Sequence, residues 1–278
     1  MKKFALLFLL VILAIGIAAF LACSDDKGTG SDGEPDFEAM KEDVEVYMTT
    51  ILGSIIFGFD QFEEFDTGFI PLGGALGKYV PYYQPADTAY YNYYPSTGWH
   101  EFVLELSAAV GDTSFDLTVT DSVQYQADGV FMQIPDETTD FMDFKFLLDL
   151  EADAQVTYAD IYYHVDNQYQ ILPSEDVQVD GVIDFDLMAD SADLHGEVHY
   201  DITVDALVVD GDNGCPLSGT ITADVDVDYD GPDADMNGSW TVIITFVDFN
   251  TWTIRLEAGD NFWQGTEDFD CGDFNVDI

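Results

Sequence analysis

From about residue 86 to its end, the chain alternates apolar and polar side chains with a period of two. Only an extended strand sends successive side chains to opposite faces, so this pattern prescribes β-structure with one apolar and one polar face. Phe102, Leu104, Leu106 and Ala108 alternate with Val103, Glu105 and Ser107, and Phe115, Leu117 and Val119 with Asp116, Thr118 and Thr120. Met142, Phe144, Phe146, Leu148 and Leu150 form a third series, and Ile183, Phe185 and Leu187 a fourth. Val198 to Ala206, Ile221 to Tyr229, Trp240 to Phe246 and Trp252 to Leu256 continue it. Turn-forming pairs punctuate the runs at Gly111-Asp112, Asp128-Gly129, Asp180-Gly181, Gly211-Asp212, Asp230-Gly231 and Gly259-Asp260.

The expected fold is therefore mainly β, an antiparallel meander of about ten long strands over residues 86–278. Long strands in chain order suit a curved sheet or an up-and-down barrel. One amphipathic helix is expected before it, over 35–58. There Met40, Val44, Tyr47, Met48, Ile51, Leu52 and Ile55 recur at spacings of three and four. Pro35 suits its first turn, and Glu38, Glu42, Asp43 and Glu45 its polar side or positive end. A stripe this apolar needs a partner surface, and the apolar face of the sheet is the one available. Residues 35–278 thus read as a single domain.

The polar face is overwhelmingly acidic. The chain holds 55 Asp and Glu against 7 Lys and Arg, for a formal charge of −48. Such a field repels nucleic acid and anionic surfaces and attracts cations. It fits either a dense carboxylate surface adapted to saline surroundings or a domain loaded with divalent cations, and the even spread of acids favours the first. The same charge argues against an outer-membrane barrel, whose lumen would have to hold dozens of aspartates.

The N-terminus carries an address. Lys2 and Lys3 precede an uncharged apolar run, Phe4 to Leu21, which ends at Phe20-Leu21-Ala22-Cys23. A positive start, an apolar centre and a small residue before the cleavage point describe an export signal over residues 1–22. The four-residue ending resembles the lipobox of bacterial lipoproteins, with Phe20 where leucine is usual. The resemblance covers residues 1–23 and implies that Cys23 is diacylated and becomes the mature N-terminus. Ser24, rather than aspartate, implies delivery to the outer membrane of the cell envelope. The Gly/Ser/Asp-rich stretch to Glu34 reads as a flexible linker over 23–34, reaching about 15–20 Å.

Beyond Cys23, Cys215 and Cys271 form an even pair, expected as a disulfide in an oxidising compartment; a metal site is weaker, for lack of a Cys/His cluster. Asp226, Asp228, Asp230 and Gly231 match the opening of a calcium loop, but the match then fails. Asp224, Asp226 and Asp228 would point one way along a strand at about 6.6–6.8 Å intervals and cannot converge. That leaves Asp230, Asp233 and Asp235 in the following turn as candidate calcium ligands, the only cofactor the sequence suggests. His195 and His199 share a strand face about 13 Å apart, which does not make a metal pair. Eight aromatics from Tyr79 to Trp99, including Tyr82, Tyr83, Tyr90, Tyr91, Tyr93 and Tyr94, suit packing at a sheet edge better than a sugar-binding surface.

No nucleophile, acid–base pair or metal motif stands out, so the expected product is not an enzyme. It is an envelope lipoprotein, held to the membrane by its N-terminal lipid and carrying a hydrophobic ligand. The alternative is a structural or adhesive surface stabilised by cations.

Overall fold

The computed structural model describes residues 37, 38, 40, 41 and 44 and, apart from a few positions at turns, residues 88–268. Twelve strands form one antiparallel sheet: β1 Thr88–Tyr94, β2 Trp99–Val110, β3 Thr113–Ala127, β4 Val130–Met132, β5 Phe141–Ala154, β6 Thr157–Ile171, β7 Val177–Ser191, β8 His195–Val209, β9 Pro216–Asp230, β10 Gly238–Asp248, β11 Thr251–Ala258 and β12 Asn261–Asp268. They lie side by side in chain order, except that β4 pairs only with β3 and leaves β3 flanked by β2 and β5. The sheet does not close into the expected barrel: among the described residues no ladder joins β1 to β12, and the sheet is open. Closure needs edges of matching length and stagger. The edge strands, of seven and eight residues, are about half as long as the 15-residue strands between them, so the sheet tapers instead.

Burial follows the alternation. In β10, Trp240, Val242, Ile244 and Phe246 are buried, and in β11 Trp252, Ile254 and Leu256. Register carries the same face across the sheet: Phe144 opposes Val123, Ile202 opposes Ile183, and Val242 opposes both Ala223 and Leu256. The buried side chains fall into two clusters on this face. The larger runs from Val123 and Tyr125 on β3 to Leu256 on β11. The smaller comprises Phe102, Leu104, Leu117, Val119, Leu148, Ile161 and Leu187 on β2 to β7.

Two features break the regular pleat. Asp180-Gly181, expected as a turn, lies inside β7. Gly181 is there because a Cβ would come within 2.1 Å of the Asn167 side chain and 2.5 Å of the Asp166 carbonyl. A glycine inside a strand marks such a close approach. Beside it β8 bulges at Ala206, whose φ is 46°, and the Asp180 carboxylate accepts the Ala206 N–H at 2.7 Å. Asp180 thereby satisfies a donor that the bulge removes from the ladder.

The five described residues of the 35–58 segment are helical. Met40 and Val44 are buried within the larger cluster, and the Phe37 ring meets Trp240 edge-on at 5.6 Å. The rest of that segment lies outside the described residues.

Candidate functional site

The apolar face holds one ionisable group out of keeping with it. Along β3, Leu117, Val119, Asp121, Val123 and Tyr125 point the same way, and Asp121 is 7% exposed. Its partners across the ladders are Phe102 on β2 and Phe146 on β5, so aromatic side chains flank the carboxyl on both sides. No described residue gives it a hydrogen bond or an ion pair. Burial alone pushes its pKa up to about 7, since a carboxylate without solvent or a partner is disfavoured. Asp121 also marks a boundary: Leu117 and Val119 before it belong to the smaller cluster, Val123 and Tyr125 after it to the larger.

Two titratable groups lie beside it on the face. Tyr125 follows on the same strand, and both burial and the Asp121 charge raise its phenol. His100 opposes Val123 and is buried, which lowers its pKa. The Tyr91 hydroxyl and His100 Nδ1 share a hydrogen bond of 2.6 Å, and the Tyr93 ring lies 4.6 Å from the imidazole. These tyrosines are on β1, so part of the aromatic stretch packs at the sheet edge as the sequence suggested. Tyr90 and Tyr94 on the same strand are exposed.

The opposite face is a lattice of carboxylates. Asp184 opposes Asp201, and Asp201 opposes Asp224, which places three aspartates side by side on β7, β8 and β9. The next row runs Asp186, His199, Asp226 and Ser239. Histidines and hydroxyls relieve part of the repulsion. His164 Nδ1 lies 3.0 Å from Asp184, the Thr241 hydroxyl donates to Asp224 at 2.7 Å, and Ser239 donates to Asp226. His199 bonds Asp186, and that bond raises its pKa. His195 and His199 thus each lie against an aspartate of β7, Asp190 and Asp186 respectively. Among the described residues no three His, Cys, Asp or Glu groups converge to hold a metal.

No family model, curated protein or solved structure matches this chain. Asp224, Asp226 and Asp228 are exposed on β9, as their strand spacing required. Asp230 is the last residue of that strand, while Asp233 and Asp235 lie outside the described residues, as do Cys23, Cys271, Tyr79, Tyr82 and Tyr83. Cys215 is buried and is not a free group. Asp121 escaped the sequence reading because the third-strand series was followed only to Thr120. Carried one residue further, the series shows a lone aspartate at an apolar-face position, and that is the signal.

Like charges directly opposed across a sheet destabilise it, each pair by about 1 kcal/mol at water-like dielectric. Raising sodium chloride from about 0.01 M to about 1 M shortens the screening length from roughly 30 Å to 3 Å. The melting temperature should then rise by at least about 5 °C, read by circular dichroism. A flat response would mean that the aspartate rows carry no net repulsion.

Proposed function

We propose that this chain is an exported, lipid-anchored envelope protein whose apolar sheet face carries a hydrophobic ligand, without catalysis. The observation that supports the carrier reading most directly is the division of that face. The described helical residues, Phe37, Met40 and Val44, pack on the larger cluster, and none of them joins the smaller one on β2 to β7, which Phe146, Tyr163 and Phe185 connect to the larger. On this reading the 35–58 helix covers one part of a curved open sheet, and the smaller cluster is the floor of the ligand site. Apolar walls with one or two placed polar groups are the usual make-up of such sites.

The anchor is Cys23, after cleavage of residues 1–22, and the following linker holds the acidic domain off the membrane. The outer membrane is the proposed destination. A Cys215–Cys271 bridge ties the C-terminal tail to the start of β9; its loop closure is worth roughly 4 kcal/mol. In a bacterial host, the wild-type chain should take up radiolabelled palmitate and sediment with membranes. Cys23→Ala should lose the label, and a labelled Cys23→Ala chain would end the lipoprotein reading. The carrier reading is tested by native mass spectrometry of the chain isolated from an envelope. Co-purified lipid is the expected result; a bare chain from several preparations would count against it.

The opposed aspartates favour one second reading, a structural or adhesive surface that cations stabilise. Its calcium version, through Asp230, Asp233 and Asp235, requires a higher melting temperature in calcium than in chelator at equal ionic strength. Superimposable curves would leave only general screening.

A further inference from the structure

An open sheet has two edges, and one of them is built without protection. Among the described residues β1 pairs with β2 alone, so the outward N–H and C=O groups of Thr88–Tyr94 have no ladder partner. Sheet edges are usually blunted by charge, proline or a bulge. β1 has none of these: its register with β2 is unbroken, and no charged residue occurs from Thr88 to His100 in a chain with 55 acids. The other edge, β12, ends in Glu267-Asp268, and Arg255 lies over its exposed Phe262 ring at 4.6 Å. Exposed apolar side chains gather at the β1 edge. Of nine large ones among the described residues, Tyr90, Tyr91 and Tyr94 lie on β1, and Val130, Phe131 and Ile134 on or just after β4. β4 takes over beside β3 where β2 ends, and a Cβ on Gly98 of the β1–β2 turn would fall 2.7 Å from Phe131, so the two groups adjoin. A concentration of this kind marks an interaction surface.

We propose that the β1 edge takes up an extended, basic segment of another protein as an added strand. Main-chain hydrogen bonds along β1 hold such a segment, and its alternate side chains meet the two faces. On the acidic face they come beside Tyr90 and Tyr94. The Tyr94 hydroxyl donates to Glu101 at 3.0 Å, and Glu105 pairs with Thr88 further along β2. Tyrosine rings among carboxylates suit Lys or Arg. On the other face the added side chains come beside Tyr91 and Tyr93, which lean on His100, and there an apolar residue fits. The charge of −48 chooses between occupants: it draws in a basic segment and opposes a second copy of this chain. This surface lies at the rim of the sheet and does not depend on the ligand floor proposed above.

The test uses the full chain in nanodiscs of zwitterionic lipid, with empty discs as the blank, in about 0.15 M salt to screen distant charges. Three fluorescent octapeptides serve as probes: alternating Lys and Val, its fully N-methylated analogue, and alternating Glu and Val. The first should bind at least about tenfold tighter than the second, which keeps the charge and side chains but has no N–H to donate. The Glu peptide should not bind. Amide hydrogen exchange should slow in Thr88–Tyr94 and not in β12. Asn92→Lys, at an exposed position in the middle of β1, should weaken binding about tenfold. Val247→Lys, the same change of charge at an exposed site on β10, should weaken it less than about twofold. Equal binding of the two lysine peptides, or equal weakening by the two substitutions, would overturn edge pairing and leave only general attraction to the acidic face. So would protection of β12 instead of β1, or no binding by any peptide. Protection of β1 that grows with protein concentration, without peptide, would make a second copy the occupant and overturn the basic segment.

Discussion

Replacing Asp121 with leucine should stabilise the protein by roughly 4 kcal/mol at pH 8 and by much less at pH 4. In the folded chain the carboxyl titrates near pH 7, whereas in the unfolded chain it titrates near its ordinary value of 3.8. Below about pH 4 both states hold the proton, so the residue is neutral and its burial costs little. Between pH 4 and 7 the unfolded chain ionises while the folded chain keeps its proton, and stability falls as pH rises. Above pH 7 both are ionised, and the full penalty is present. The other acidic residues also repel one another less as pH falls, so wild type alone cannot isolate this contribution. The difference between variant and wild type does, because the surface is common to both. His100 and Tyr125 stay in place in each and largely cancel. The measurement is a pair of denaturant titrations at several pH values, and a melting difference of roughly 10 °C at pH 8 is the expected size. A difference independent of pH would show that Asp121 is not a buried, titrating carboxyl.

A residue that weakens its own fold by this amount is where a binding role is sought, since such defects persist when something else compensates them. Asp121 and the opposed aspartates of β7 to β9 differ in this respect. The surface row sits in water and salt, where like charges cost little and cations are everywhere. Asp121 sits among phenylalanine and valine, where only a bound partner or a proton removes the cost.

Most of the fold was legible in the sequence because its signal is local. Alternation over Phe102 to Ala108 or Val198 to Val204 states both the strand and its buried side, and β2 and β8 extend beyond those runs. Asp128-Gly129 also read correctly as a turn, with φ of 51° and 73° between β3 and β4. Where alternation blurs, the reading lost strands. Thr157–Ile171 forms all of β6, but tyrosines at Tyr162 and Tyr163 fill both faces and Asn167 takes a buried position, so no clean period of two remained. β4 is only three residues long, too short for any period. Asp180-Gly181 misled for a different reason. A glycine required by a neighbouring strand looks identical in sequence to one required by a turn, and the difference lies in Asn167, fourteen positions earlier. The open edges depend on which strands fail to meet, which no local pattern records.

The largest loss of stability from a single substitution on the sheet is expected at Gly219. Its φ of 115° lies in a region that side chains rarely enter, and a Cβ there would fall 2.4 Å from the Cα of Leu207 and 2.6 Å from the carbonyl oxygen of Ala206. Both are backbone atoms, so no rotamer change relieves the clash. Gly219 faces the β8 bulge, where the register between β8 and β9 shifts from Asp205 opposite Thr220 to Val208 opposite Ser218. It also pairs with Phe246 on β10 and so lies between the bulge and the buried end of the sheet. Valine adds a stiff, branched side chain to a position with neither the space nor the φ for it. Gly219→Val should cost about 3–5 kcal/mol, in the range of the severest single substitutions, and lower the denaturant midpoint accordingly. Gly259→Ala supplies the control. Gly259 also has a positive φ, 58°, but an added Cβ there meets nothing within 4 Å, so only the backbone penalty of about 1–2 kcal/mol applies. Equal losses at the two positions would mean that the β8 bulge does not press against β9.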